Sequence, residues 1–206
     1  IIGARLGDAA GNGKADAGES YVIFGGDFTA AVTHGGTTGA DALIGDAAAN
    51  VIIGGQNNDL LLGGGGADVL RGGQGHDLLL ISDLAFDRLV GGNGFDTLFL
   101  DTAGVSLDLT SIADNRIVGI EEIDITGSGD NTLTLDLQEV LNISDESNTL
   151  LVRRTSSDTV DIGSGWTSQG LEEIGPDVFE SFTQGAAVVK VQHFIAVNLS
   201  VDVNAG

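Results

Sequence analysis

Between Gly36 and Phe99 the sequence repeats every nine residues. The segments read GTTGADALI, GDAAANVII, GGQNNDLLL, GGGGADVLR and GGQGHDLLL, then one extra residue, Ile81, then SDLAFDRLV and GGNGFDTLF. Glycine recurs at positions one, two and four, a carboxylate at six and an aliphatic side chain at eight. Such a period constrains the architecture before any local propensity does, because each repeat has to be one unit of a stack.

The two halves of the nine want different backbones. The glycine half must turn sharply, and glycine reaches positive φ without steric cost. The apolar half, as in Asp59-Leu60-Leu61-Leu62 and Asp77-Leu78-Leu79-Leu80, favours a very short strand with position eight facing inward. Two nines then make one coil of strand, turn, strand, turn. The expectation is an all-β fold: a parallel β-roll whose two sheets enclose a thin aliphatic core. A flexible glycine linker would have no reason to keep a carboxylate and a leucine in register.

Stacking the coils also stacks the turns. Every second nine contributes to the same side, so one column holds Asp41, Asp59, Asp77 and Asp96, and the other holds Asn50, Asp68 and Asp87. Neighbouring strands lie about 4.8 Å apart, which brings like charges together unless a cation sits between successive turns. A cation taking six to eight oxygens at roughly 2.3–2.6 Å suits aspartate carboxylates plus turn carbonyls, and that cation is calcium. Magnesium prefers a strict octahedron with its own waters. Zinc prefers nitrogen and sulfur donors, which these turns scarcely offer.

The motif GGxGxDxLx resembles the calcium-binding RTX nonapeptide repeat. Gly63 to Arg71, Gly72 to Leu80 and Gly91 to Phe99 match it cleanly, and Gly54 to Leu62 departs only at Asn57, a residue that tolerates the left-handed region. Gly36 to Ile44 lacks the second glycine. Gly45 to Ile53 has Ala48 for glycine and neutral Asn50 for aspartate. Ser82 to Val90 keeps only Asp87 and Leu89 and reads as a structural turn. The resemblance implies several calcium ions held between turns two repeats apart. The earlier turn gives carbonyls from positions one and three plus its aspartate; the later one gives carbonyls from two and four plus its own.

Carried over, one site uses Gly54, Gln56 and Asp59 with Gly73, Gly75 and Asp77. The next uses Gly72, Gln74 and Asp77 with Gly92, Gly94 and Asp96, and the Ile81 insertion is expected to distort it. The same scheme takes Gly36, Thr38 and Asp41 with Gly55, Asn57 and Asp59. In the other column Gly45, Ala47 and Asn50 face Gly64, Gly66 and Asp68, and Gly63, Gly65 and Asp68 face Asp87.

Charge and composition narrow the function. The 206 residues carry 30 acidic and 8 basic side chains, a net charge of -22, which argues against nucleic acid or an anionic membrane as partners. With 42% hydrophobic residues the chain is too apolar for an acidic disordered tail. It has no cysteine, so calcium takes the stabilising role that disulfides play in many exported domains. No apolar run approaches the ~20 residues of a membrane span. The chain opens at Ile1 without a recognisable leader, and we expect it to be a piece of a longer protein with further domains upstream.

The flanks are less regular. Residues 1–35 read as an N-terminal hairpin or cap, and Ile2-Gly3-Ala4 with Tyr21-Val22-Ile23-Phe24-Gly25 resembles the end of an FG-GAP repeat, the blade unit of integrin-α-like propellers. Asp8, Asn12 and Asp16 read as a solvated polar loop. Residues 36–100 form the roll, and residues 101–206 an irregular β-solenoid with a terminal cap. Within the last stretch Gly127 to Leu133 is a decayed nine with Asn131 at position six, and Leu137 to Leu141 is the one short helix. Asp108, Asp124, Asp136 and Asp161 are expected to face solvent, Arg71 and Arg88 to form surface ion pairs, and Trp166 and Phe194 to cap the open end. Residues 190–206 read either as the uncleaved signal implied by a likeness to type I secreted proteins or as a capping strand.

No catalytic constellation is visible. His34, His76 and His193 are scattered, and Glu121-Glu122 and Glu172-Glu173 are adjacent pairs that a strand points to opposite faces. The expectation is a non-enzymatic calcium-binding structural module, extracellular or at a bacterial cell surface and adhesin-like. A self-assembling or polysaccharide-binding surface subunit, or an auxiliary module of a secreted enzyme, is the alternative.

Overall fold

The computed structural model describes residues 32–144 and 147–194, which belong to one compact unit beginning at Val32. The FG-GAP-like stretch and residues 195–206 lie outside the described residues. The roll contains β1 (His34–Gly35), β2 (Ala42–Ile44), β3 (Val51–Gln56), β4 (Leu60–Leu62), β5 (Val69–Gln74), β6 (Leu78–Ile81), β7 (Arg88–Asn93) and β8 (Thr97–Leu100). Then come β9 (Ser106–Asp108), β10 (Ile117–Val118), β11 (Glu122–Asp124), β12 (Thr132–Thr134), helix α1 (Leu137–Ile143), β13 (Thr149–Arg153), β14 (Thr159–Asp161), β15 (Thr167–Ile174), β16 (Asp177–Gln184) and β17 (Ala187–Gln192).

Odd and even strands of the roll go to different sheets, as a coil of two nines requires. The first sheet runs β1-β3-β5-β7-β10, and the second passes through β2, β4, β6, β8, β11 and β13. All of these pairs are parallel. Position eight points inward throughout: Ile52, Leu61, Leu70, Leu79, Leu89 and Leu98 are all fully buried. Burying a side chain of this kind stabilises by roughly 1.5–3 kcal/mol, so this ladder of single aliphatics, joined by Ile81, Phe86 and Leu100, is the roll's main apolar support.

Ile81 changes the coil length where expected, but not with the expected damage. Turns are 18 residues apart below it and 19 across it. The extra residue lengthens β6, and its side chain enters the core at 4% exposure. The first-sheet turns keep their register, with Gly73 opposite Gly92 and Gln74 opposite Asn93. The disturbance falls on the other side of the roll, in the turn that directly follows Ile81.

After Phe99 the longer, irregular coils expected from the sequence acquire a third face. The strands β9, β12 and β14 form a separate parallel sheet, and turns now recur at 25 to 27 residues. Four aspartates expected merely to face solvent end strands or start helices here. Asp108, Asp124 and Asp161 each accept the N–H two residues on, and Asp136 caps α1 by accepting from Gln138 and Glu139. Such local bonds compete with strand continuation and so force the corner.

Both ends of the sheets are managed differently. The helix α1 follows β12, buries Val140 and Ile143, and accepts the Ile120 N–H at the Ile143 carbonyl. On the second sheet β17 joins β13 in parallel, and β16 and β15 then add antiparallel strands. This meander replaces a simple continuation of the solenoid. Trp166 is partly buried and donates its indole N–H to the Ile162 carbonyl at 2.5 Å. Phe194 is 42% exposed beneath the Arg154 guanidinium and covers little core. Arg71 and Arg88 sit on the outer face of the first sheet beside Val90 and Val69 and form no ion pair among the described residues.

Candidate metal centre

Each turn of the first column follows a first-sheet strand, and its position-six aspartate is tied to the next coil. The Asp41 N–H donates to Asp59 Oδ1 at 2.8 Å, Asp59 N–H to Asp77 Oδ1 at 2.8 Å, and Asp77 N–H to Asp96 Oδ1 at 2.7 Å. The ladder ends when the Asp96 N–H donates to Glu121 Oε2 at 2.8 Å. One carboxylate oxygen per rung is therefore committed to the main chain.

The other oxygen is not. Oδ2 of Asp59, Asp77 and Asp96 is buried and has no hydrogen-bond partner. Leaving a charged acceptor so placed costs several kcal/mol, so these three atoms call for a cation. The surrounding space agrees. A Cβ built on Gly72 would overlap both Asp77 Oδ2 and the Gly91 carbonyl, and one on Gly54 would overlap Asp59 Oδ2 and the Gly72 carbonyl. The orphaned oxygen and the next coil's position-one carbonyl thus converge on a cradle that only glycine leaves open. Among the described residues no three carboxylate or imidazole side chains gather at one point. A cation here would take much of its oxygen from the main chain, which is the donor set of calcium.

Burial has the expected electrostatic effect. Desolvation raises the Asp77 and Asp68 carboxyls above the ordinary range. It pushes Asp96 to about 7, with the Asp77 and Glu121 charges adding to the shift and the Asp77 N–H opposing it. These carboxylates are costly to ionise without a counter-charge.

The remaining sequence-predicted residues divide clearly. Gly55, Gly73 and Gly92 all have positive φ, as do Gly75, Gly94 and Asn57 at position four. Gln56 and Gln74 lie opposite each other across β3 and β5. In the first turn the donors are already used: Asp41 Oδ2 accepts from Thr37 N–H and Oγ1, and the Thr38 carbonyl accepts from Asn57 Nδ2. Asp41 Oδ2 and the Thr38 carbonyl thus have protein partners here, although the Gly54 carbonyl and Asp41 Oδ2 converge on Gly36 as in the later turns.

The second column departs from the first, at the turns whose sequences already depart from the motif. Asp68 Oδ1 accepts the Asn50 N–H at 2.8 Å, and Gly64 and Gly66 pack on the carbonyls of the turn below. Asn50, however, turns its Nδ2 onto the carbonyls of Asp46 and Ala48. These are the carbonyls of positions two and four of its own turn, not those of Gly45 and Ala47 that the repeat scheme assigns to the cation, and the neutral amide brings no negative charge beside Asp68. Asp87 is exposed, and Phe86 is buried in its stead with Arg116 stacked 4.8 Å over its ring. This turn follows the extra residue and lacks the glycines of the repeat, while its backbone keeps register through the Asp87 N–H to the Asp68 carbonyl. Gly63 and Gly65 face Asp68 and Asp83, but no carbonyl of the following turn approaches Gly63.

Two elements escaped the sequence reading. Glu121 terminates the first column, although Gly119 and Glu121 are separated by one residue instead of four. The Gly119 carbonyl approaches Gly91 as the Gly91 carbonyl approaches Gly72, and the longer side chain spans the contracted turn. The signal was the glycine in Gly119-Ile120-Glu121. A third ladder runs through the third sheet: Val105 N–H donates to Asn131 Oδ1 and Asn131 N–H to Asp158 Oδ1. Asn131 indeed stands at position six, and like Asn50 it donates Nδ2 to carbonyls of its own turn, those of Ile125 and Gly127. His76 is an exposed turn residue whose Nδ1 accepts the Phe95 N–H at 2.9 Å.

Comparison with protein families agrees with this geometry. Residues 35–70, 44–79 and 83–101 match the model of the RTX calcium-binding nonapeptide repeat. The chain matches no curated protein and no solved structure.

Proposed function

From a chain that carries RTX calcium-binding repeats, we propose a calcium-dependent structural module of a secreted or cell-surface protein, ordered by calcium outside the cell and without catalytic activity of its own. The observation that carries this reading is the set of three buried, partnerless Oδ2 atoms on Asp59, Asp77 and Asp96. Calcium, when bound, supplies positive charge and oxygen coordination between successive turns. The chain's own residues do the rest. Oδ1 of each aspartate fixes the spacing of the coils, the position-one glycines keep the cradle open, and the aliphatic ladder aligns the turns.

Calcium is scarce in cytosol and millimolar outside cells. Extracellular modules bind it with dissociation constants of about 0.1–1 mM. At ten times such a constant each site stabilises the folded state by about 1.4 kcal/mol. Three sites acting together approach the ~5–15 kcal/mol stability of a typical domain, enough to switch the roll between compartments. Circular dichroism during a calcium titration, started from chelator, tests this. The expected result is a cooperative gain of β-signal; a signal unchanged by chelation would refute the reading.

A second reading is a self-associating surface subunit. It is favoured by the outer face of the second sheet, where Ile44 is 61% exposed and Leu60 and Leu78 are each 36% exposed. Light scattering with and without calcium separates an assembling subunit from a monomeric spacer. Polysaccharide binding, and service as an auxiliary module to an upstream enzyme domain, belong to the same group of alternatives.

A further inference from the structure

The nonapeptide match ends at residue 101, yet the strand register carries the same turn one coil further. Ile117 and Val118 of β10 pair with Leu89 and Val90, which puts Gly119 in the place of Gly91, at position one. Glu122 of β11 pairs with Thr97, which puts Glu121 in the place of Asp96, at position six. We propose that the junction of Asp96 with Gly119 and Glu121 is a further calcium site, built outside the nonapeptide motif, that fastens the roll to the irregular coils after it.

The site presupposes the calcium reading above, and it turns on one atom. Asp96 is fully buried, and its Oδ2 has no hydrogen-bond partner. In the two cradles below, the orphaned oxygen faces the position-one carbonyl of the next coil. Asp59 Oδ2 meets that of Gly72, and Asp77 Oδ2 that of Gly91. The motif offers no further nine to do the same for Asp96. The Gly119 carbonyl takes that place, since a Cβ built on Gly91 would overlap both Asp96 Oδ2 and the Gly119 carbonyl. The space that a cation fills in the repeat is thus kept open here as well, across a coil of 25 residues where the lower coils have 18 or 19.

The turn that closes the junction is contracted. Only Ile120 separates its positions one and six, and Ile120 is fully buried with its N–H given to the Ile143 carbonyl. Gly119 takes the left-handed conformation, φ +63, and lies over Gly92. The N–H groups of Glu121 and Glu122 both donate to the Asp96 carbonyl at 3.0 Å, and Glu121 Oε2 accepts the Asp96 N–H at 2.8 Å. A second buried carboxylate thus stands against the first. Two like charges held so close away from water call for a counter-charge, and among the described residues no basic side chain forms an ion pair with Asp96. A contracted turn supplies fewer carbonyls than a complete nine, so this ion keeps more water and should be the weakest of its column.

Calcium calorimetry on the full chain tests the site. Glu121→Gln leaves an acceptor for the Asp96 N–H and removes the charge. It should bind one ion fewer, or bind the weakest ion roughly tenfold less tightly or worse. Glu122→Gln is the control, because that carboxylate already has Arg153 at 3.0 Å, and it should match the parent. A Glu121→Gln variant indistinguishable from the parent overturns this site and leaves the calcium reading standing, as does an equal loss in both variants; a parent that binds no calcium overturns both. Crystals of the full chain grown with calcium give a check that needs no variant. An anomalous-scattering peak should lie roughly 2.3–2.6 Å from both Asp96 Oδ2 and the Gly119 carbonyl oxygen. Peaks confined to the turns of Asp59 and Asp77 would overturn the site.

Discussion

The Asp59 N–H donates to Asp77 Oδ1 at 2.8 Å, while Asp77 Oδ2 lies buried with no partner. The two oxygens of one carboxylate therefore have separable roles, spacing and cation binding. Asp77→Asn should keep the first and lose the second, raising the calcium concentration needed for half-folding roughly tenfold, about 1.4 kcal/mol. Asp77→Ala should lose both and cost a further ~1–3 kcal/mol, because the Asp59 N–H is left without an acceptor. Calcium-titrated circular dichroism combined with urea unfolding at saturating calcium separates the two contributions.

Asn50 offers the converse change. Its Nδ2 donates to the carbonyls of Asp46 and Ala48, so Asn50→Asp removes those bonds and places a carboxylate beside Asp68, where the Gly45 and Ala47 carbonyls of the repeat scheme lie. Without calcium the variant should be less stable than the parent, and with calcium it should bind one ion more. Calorimetric stoichiometry is the check. An unchanged stoichiometry would mean that the Ser82–Asp87 irregularity disables the whole column.

Acid should partly replace calcium. Burial raises Asp96 to about 7 in the metal-free fold, well above its ordinary 3.8. A carboxyl raised in this way contributes stability that is fully present below its unfolded value and is lost as pH climbs through 7. In chelator the fold should therefore be more populated at pH 5 than at pH 8, and calcium affinity should fall over the same interval as protons compete. Glu139 on α1, also raised to about 7 by burial and then by Asp114, Asp136 and Asp108, adds a contribution of the same sign. Glu139→Gln should raise stability at pH 8 and flatten the profile without altering calcium stoichiometry.

Gly72→Ala should be among the most damaging single substitutions. The new methyl would lie 2.2 Å from Asp77 Oδ2 of its own turn and 2.6 Å from the Gly91 carbonyl of the next coil, and an effect above ~4 kcal/mol with loss of calcium-induced folding is expected. Gly104→Ala is the control. That glycine has φ +67 but open space around it, so only the ~1–2 kcal/mol strain of the left-handed region applies. Thermal unfolding in excess calcium would show the difference.

The roll was legible because each of its determinants is local and periodic. A leucine at position eight, a glycine pair at the turn and an aspartate at six fix strand, corner and column without long-range information. What the sequence concealed was rotation and relay. Whether Ile81 would damage the first column or the second depends on which side of the coil absorbs it, and only β6 reveals that the residue joins the strand. Phe86 and Asp87 compete for one inward position, and the letters do not say which prevails. Glu121 was hidden because its turn shrank while its side chain lengthened. The outward aspartates of the later coils were placed correctly near the surface, but their bonds to the N–H two residues on, which make the corners of the third face, are a property of backbone geometry.

The aspartate ladder also has a direction. Every rung's amide relies on an oxygen belonging to the rung after it, from Asp41 through to the closing Glu121. The two ends of the ladder are therefore unequal: removing the first turn leaves every later amide with its acceptor, whereas cutting the chain before Glu121 strands the Asp96 amide.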